Sequence, residues 1–118
     1  MKTQTSGRIG EDAACHYLKK KHYQILERNY RKRFGELDIV ARKGNRIAFV
    51  EVKARSASDY GMPCEAVTYS KQQKIIKTAQ MYVLEQNLDA EFAFDVIEVM
   101  LEKGKVLSIH HIEDAFAT

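Results

Sequence analysis

The sequence has no tryptophan, a single proline and only two cysteines in 118 residues. Cys15 and Cys64 are far apart, form no CxxC pair and match no zinc-ligand spacing. That excludes a cysteine zinc site of the usual kind and leaves two reduced thiols of an intracellular protein as the expectation. No apolar run approaches the ~20 residues that a membrane-spanning helix needs. The opening "MKTQTSGRIGEDAA" lacks the apolar core of a signal peptide, so a cytoplasmic location is expected. Internal repeats, linkers and low-complexity segments are all missing. So is a strong excess of charge of one sign: the net charge is +3, too mild by itself to require a nucleic-acid partner.

What remains is ordinary globular composition, 45% hydrophobic and 30% charged. The length suits one domain, 1–118, with one modest core. The positive charge is unevenly placed. "KKKH" (Lys19 to His22) and "RNYRKR" (Arg28 to Arg33) lie close together, and Lys71, Lys74 and Lys77 recur at three-residue spacing. Each run alone reads as a solvated face. Three such runs in one small domain make a phosphate-binding surface.

The periodicity predicts seven elements. Ser6 caps a helix running to about Lys21, with Ile9, Ala13 and Tyr17 on one stripe and Gly7, Glu11, Ala14 and Leu18 on the next. "YQILERNYR" reads as a strand, and a turn around Lys32 to Phe34 leads into the strand "GELDIVARK". Gly44-Asn45 turns into "RIAFVEVKAR", and "SASDYGMP" is a loop. Ser70 and Gln73 form a capping box that opens a helix to about Gln86, with Ile75, Ile76, Ala79, Tyr82 and Val83 inward. "EFAFDVIEVMLE" is a strand buried on both faces, and Lys103-Gly104 turns into a last strand, "KVLSIHHI". The order α-β-β-β-α-β-β specifies an α/β domain, a central mixed sheet flanked by helices.

Within two of these strands stand charges that a core rarely admits unless they are paired, bind metal or do chemistry. If Gly44-Asn45 is a two-residue hairpin turn, Lys43 pairs with Arg46, Val40 with Phe49, Asp38 with Glu51 and Glu36 with Lys53. Glu36, Asp38, Val40, Phe49, Glu51 and Lys53 then share one face, and Leu37, Ile39, Ala41, Ala48, Val50 and Val52 share the other. Directly opposed Cβ atoms lie ~4.5–5.5 Å apart, where like charges repel. A divalent cation between them reverses that repulsion, and Mg²⁺ favours one or two carboxylates with waters and phosphate oxygens. Lys53, two residues beyond Glu51, can contact a scissile phosphate or orient a water. The competing reading is plain polar alternation on a solvent-washed face. Val40 and Phe49 on that face argue against it, while a three-residue loop would shift the register and separate the acids.

These residues carry a resemblance. Gly35-Glu36-Leu37-Asp38 followed by Glu51-Val52-Lys53 resembles the D…ExK signature of the PD-(D/E)XK nuclease superfamily, which includes restriction endonucleases and Holliday-junction resolvases. With "GRIGEDAA", "RNYR", "FVEVKAR", "EAVTYSKQQKI", "FDVIEV" and "HHIEDAF", the chain from about Gly7 to Phe116 looks like the YraN-like family of small bacterial proteins. Ala93, before "FDV", departs from the arginine that such proteins often carry there.

The resemblance implies a restriction-endonuclease-like core. It also implies a metal-dependent nuclease with Mg²⁺ or Mn²⁺ as cofactor, but leaves the substrate open; our expectation is an endonuclease on DNA, with branched or junction DNA as the substrate class. Asp38 and Glu51 would be metal ligands, Val52 would offer its carbonyl, and Lys53 would be the catalytic lysine. Glu11 matches the acid that resolvase-like members add from the first helix; otherwise it is a helix-dipole acid. Gln73 and Lys74 fall where similar nucleases place a polar residue near the active site, and Gln73 is equally a capping residue. Arg28, Arg31, Arg33, Lys71, Gln73 and Lys74 are the nucleic-acid contacts expected. Tyr30, Phe34 and Tyr60 could stack on bases or simply pack. His110 and His111, adjacent on a strand, diverge and receive no catalytic role. Glu36 could bridge to Lys53. A homodimer would suit symmetric cutting of two strands, though no interface is diagnosable in the sequence. The alternatives are a nucleic-acid-binding module that does not cut, or a protein-interaction domain on a nuclease fold.

Overall fold

The protein is described by a computed structural model covering residues 5–56 and 67–118. The loop expected through Ala57 to Pro63, with Tyr60, lies outside these residues, as does Cys64. The elements are α1 (Ser6–Lys20), β1 (Gln24–Lys32), β2 (Gly35–Lys43), β3 (Arg46–Ser56), α2 (Tyr69–Gln86), β4 (Glu91–Glu102) and β5 (Lys105–Phe116). The order is the one the periodicity predicts. Among the described residues no helix is long and apolar enough to cross a membrane.

Both helix starts differ from the sequence expectation. Thr5, not Ser6, caps α1 and accepts the Arg8 N–H at 3.2 Å. Thr68 caps α2 and accepts the Lys71 N–H at 3.2 Å, so Ser70 lies inside the first turn and forms no box with Gln73. In each case a threonine in extended backbone precedes the helix by the right step, and its hydroxyl reaches an orphan N–H first. At the far end of α2, Asn87 takes the left-handed conformation, φ 52°, that closes helices.

The strands form one sheet in sequential order, antiparallel throughout except β3 with β4. Parallel neighbours need a crossover, and α2 provides it. Alternation sorts the side chains between two layers. Ile39, Ala41, Ala48, Val50, Ile97, Val99 and Leu101 pack with Ala14, Cys15 and Leu18 of α1. Val40, Ile47, Phe49 and Phe94 pack with Ile75, Ile76, Ala79 and Tyr82 of α2. Fully burying one such side chain contributes ~1.5–3 kcal/mol. Cys15 is a free thiol inside the first cluster, where burial raises its pKa and keeps it inert.

Two features set up the acid-bearing end. First, a Cβ on Gly35 would meet Thr78 Oγ1 at 2.4 Å and the Lys74 carbonyl at 3.0 Å. Only glycine lets the start of β2 come this close to α2, which brings the first turns of the helix over β2. Second, the β2–β3 ladder runs from Lys43–Arg46 only as far as Ile39–Val50. In a regular continuation the Val52 N–H would bond the Leu37 carbonyl. It bonds Asp38 Oδ2 instead, at 2.8 Å. The strands part at this point, and the expected side-by-side ladder pairing of Asp38 with Glu51 is replaced by a carboxylate set into the parting.

Leu37 is consequently not on the Ile39 face. It joins Val40, Phe49 and α2. Freed from β3, this end of β2 pairs with β1 alone, through Tyr30–Leu37, Arg31–Glu36 and Lys32–Gly35. β5 also continues past Ile112, reaching Phe116, which stacks on Phe94.

Candidate functional site

An acid buried in a strand must find a counter-charge, and at Glu51 the counter-charge comes from α2. Glu51 follows Phe49 on the α2-facing side of β3 and is 8% exposed. Capping by Thr68 places Lys71 in the first turn, and its Nζ lies 2.7 Å from Glu51 Oε1. The pair is lopsided: the carboxylate is buried, while the lysine side chain is half exposed. Glu51 raises the Lys71 pKa through that bond, against the opposing effect of burial. Asp38 and Glu51 line one cavity of about 350 Å³ with Gly35, Glu36, Thr68, Lys71 and Lys74.

Among the described residues no cation forms an ion pair with Asp38. Burial, and then the negative charge of Glu51, push its carboxyl up to about 7, with Glu11 and Glu36 adding to the rise and the Val52 N–H opposing it. The sign of its linkage to folding follows. In the unfolded chain the group ionises near ~3.9, so its penalty is absent below that pH, grows as pH rises, and saturates once pH exceeds about 7. Asp38→Asn keeps an acceptor for the Val52 N–H. In EDTA it should stabilise the protein by on the order of 1–3 kcal/mol near pH 8 and by little near pH 4. Urea unfolding at both pH values measures the difference, and an equal gap at each would refute the assignment.

The other expected site residues are distributed as follows. Glu11 does not line the acid cavity. It faces an adjoining polar cleft of about 580 Å³ with Arg8, Arg28, Asn29 and Glu36, where it accepts the Asn29 Nδ2 at 2.7 Å and lies 3.4 Å from Arg28 Nη2. Its charge still reaches Asp38. Lys53 follows Glu51 on the same side of β3 by alternation, half-buried and beside Glu98 of β4 in register. Among the described residues no ion pair holds its ammonium, and Glu36 bridges to Arg31 at 3.5 Å rather than to Lys53. The Val52 side chain packs toward α1 while its N–H holds Asp38.

Among the expected nucleic-acid contacts, Arg28 is held by Asp12 at 2.7 Å. Arg31 and Arg33 are exposed on β1 and its turn. Lys74 is exposed at the rim of the acid cavity, and Gln73 is exposed on α2. Tyr30 packs edge-on to Tyr82 and bonds Glu85, and Phe34 lies under the Lys77 ammonium, so both have packing roles.

Sequence reasoning missed a second buried acid. Asp95 is fully buried on β4. Arg46 grips it with two bonds of 2.8 and 3.0 Å, the Asp114 N–H donates at 3.0 Å, and His111 Nε2 lies 2.7 Å away. Tyr23 bonds Arg46, and Tyr17 bonds the other ring nitrogen of His111. Burial alone would raise the Asp95 carboxyl; the bonds from His111, Arg46 and Asp114 outweigh it and hold it below the usual range. The signal was present, an acid inside a strand buried on both faces. Among the described residues the network ties α1, β3, β4 and β5 together around one buried carboxylate, which marks it as a structural pin.

Residues 10–99 match the sequence model of the family described as Uncharacterised protein family UPF0102. The chain belongs to the UPF0102 family. Similar proteins of that name include one from Alkaliphilus metalliredigens (strain QYMF), 47% identical, which covers 97% of this chain and 99% of its own length. Another, from Alkaliphilus oremlandii (strain OhILAs), is 50% identical over 93% of this chain and 96% of its own. A third, from Caldanaerobacter subterraneus subsp. tengcongensis, is 46% identical over 96% and 95%.

In this UPF0102 chain the donor set at the parting of β2 and β3 restricts which cation could fit. No group of three or more His, Cys, Asp or Glu side chains converges on a common ion position among the described residues. Asp38 Oδ2 is occupied by a backbone N–H, and Glu11 by β1. What is left is one carboxylate oxygen from Asp38 and one from Glu51, whose Oε1 carries Lys71, in a cavity with space for water. That suits a hydrated, oxygen-seeking ion such as Mg²⁺ or Mn²⁺ and does not suit zinc.

Proposed function

We propose that this protein is a metal-dependent phosphodiesterase, an endonuclease acting on DNA, with branched or junction DNA as its substrate class. It would be a single domain with a nuclease-like core of the PD-(D/E)XK type. The observation that carries the reading is the acid pair itself. Asp38 and Glu51 share a cavity, Asp38 with a pKa raised by burial and by the charge of Glu51, beneath a helix start that presents Lys71 and Lys74. Asp38 and Glu51 would hold Mg²⁺ or Mn²⁺, and Glu11 would act on Asp38 through its charge. The bound cation would neutralise charge developing on the phosphate and lower the pKa of water. Lys53, free of any ion pair among the described residues, would orient the attacking water or steady the developing charge. Lys71, Lys74, Arg31 and Arg33 would hold flanking phosphates.

A second reading is a module that binds nucleic acid without cutting. The Lys71–Glu51 bond favours it, since a side chain of the protein itself compensates the buried acid. The deciding experiment incubates the protein with labelled duplex, single-stranded, flap and four-way DNA, plus RNA controls, in Mg²⁺ or Mn²⁺. Cleavage of a branched substrate that stops in EDTA supports the enzyme. Firm binding with no cleavage of any substrate moves the conclusion to the module.

A further inference from the structure

One acid of the cavity is already paired with a cation, the Lys71 ammonium. Glu51 is anchored on a rigid central strand and cannot leave, and a buried carboxylate stripped of its partner costs several kcal/mol. Lys71 is different. Its side chain is half exposed on the first turn of α2, at the mouth of the cavity, and its four-carbon stem lets the ammonium swing into solvent. Its Nζ sits 2.7 Å from Oε1, so a divalent ion at the acid pair would meet an ammonium already on the same carboxylate. Two cations held that close repel, and each opposes the other's binding. Lys74, on the same helix and lining the same cavity, makes no such pair among the described residues.

We propose that Lys71 is an exchangeable counter-ion: it neutralises Glu51 in the free protein and leaves for a phosphodiester of the bound nucleic acid as a divalent cation loads. This rests on the proposed metal-dependent reading of the site. Its consequence is coupling. Lys71 opposes cation binding until a phosphate gives it another anion, so nucleic acid and cation strengthen each other's binding, reciprocally. The free protein is thereby kept from holding an idle metal, and the acid pair is kept from repelling an approaching phosphate.

The test is Mn²⁺ affinity, measured by calorimetry on the full chain. Lys71→Met should bind Mn²⁺ roughly ten-fold more tightly than the unmodified protein. Lys74→Met removes an equal charge from the same cavity wall and should have a much smaller effect. Glu51→Gln should weaken Mn²⁺ binding. In a Lys53→Ala background, where no cleavage is expected, adding a short DNA duplex should tighten Mn²⁺ binding when Lys71 is present and not in the Lys71→Met protein. Equal effects of Lys71→Met and Lys74→Met, or none from Lys71→Met, would overturn the exchange while leaving the metal site standing. Absence of Mn²⁺ binding in the unmodified protein, or binding indifferent to Glu51→Gln, would overturn the metal site and the exchange with it.

Discussion

Glu51→Gln is expected to reduce DNA cleavage by more than ~100-fold, because even partners one shell out from a metal cost 10–100-fold when removed. The substitution keeps the side-chain shape and an oxygen for Lys71 to bond, and removes only the negative charge. Nucleic-acid binding should persist or tighten, since the repulsion between the acid pair and phosphate is relieved. Lys53→Ala should also stop cleavage but leave Mn²⁺ binding intact, because a protonated lysine is not a ligand. Cleavage rates with a fluorescent branched substrate, beside binding by anisotropy, separate these effects. A Glu51→Gln protein that cleaves at the unmodified rate would place the activity elsewhere.

Asp95→Ala is expected to destabilise the fold by about 3–5 kcal/mol at neutral pH, the range for breaking a buried charge pair from one side. Arg46 and His111 would lose their buried acid and keep their bonds to Tyr23 and Tyr17, and the Asp114 N–H would lose its acceptor. A domain of this size has ~5–15 kcal/mol in total, so much of its margin would go. Asp95→Asn preserves the volume and one acceptor and should lose less. The pH sign is opposite to that of Asp38. The folded Asp95 carboxyl is depressed, so its contribution is present above the unfolded value of ~3.9 and is lost as pH falls through the folded one. Urea unfolding of both variants checks this. An Asp95→Ala protein within ~1 kcal/mol of the original would remove the pin reading.

The two aspartates show how far residue types carry an argument. Both are acids in apolar strands, and both stand out by the same rule. One is pushed up by burial and a neighbouring acid, the other held down by an arginine and a histidine from other strands. The neighbour of Asp38 is readable, since Glu51 lies across one hairpin, but Arg46 and His111, which hold Asp95 down, lie on other strands and leave no local pattern. The same holds for Glu11. Its helix and its stripe were readable, yet its carboxylate is claimed by Asn29 and Arg28 because α1 crosses β1 at that point.

By itself the sequence determined the element order, the Gly44-Asn45 and Lys103-Gly104 turns, the core stripes of both helices and the presence of acids where a core should exclude them. These follow from short-range rules: a period of two in strands, 3.6 in helices, and glycine where φ must be positive. Tertiary structure alone decided where β2 parts from β3, and therefore that Asp38 takes the Val52 N–H instead of lying flat beside Glu51. It also decided that Leu37 turns to α2 and that the counter-ion of Glu51 is Lys71. The physical reason is that a ladder can stop at any rung without a local signal. Which cation reaches a buried acid depends on the phase and approach of a helix, and here that approach is set by the absent Cβ of Gly35.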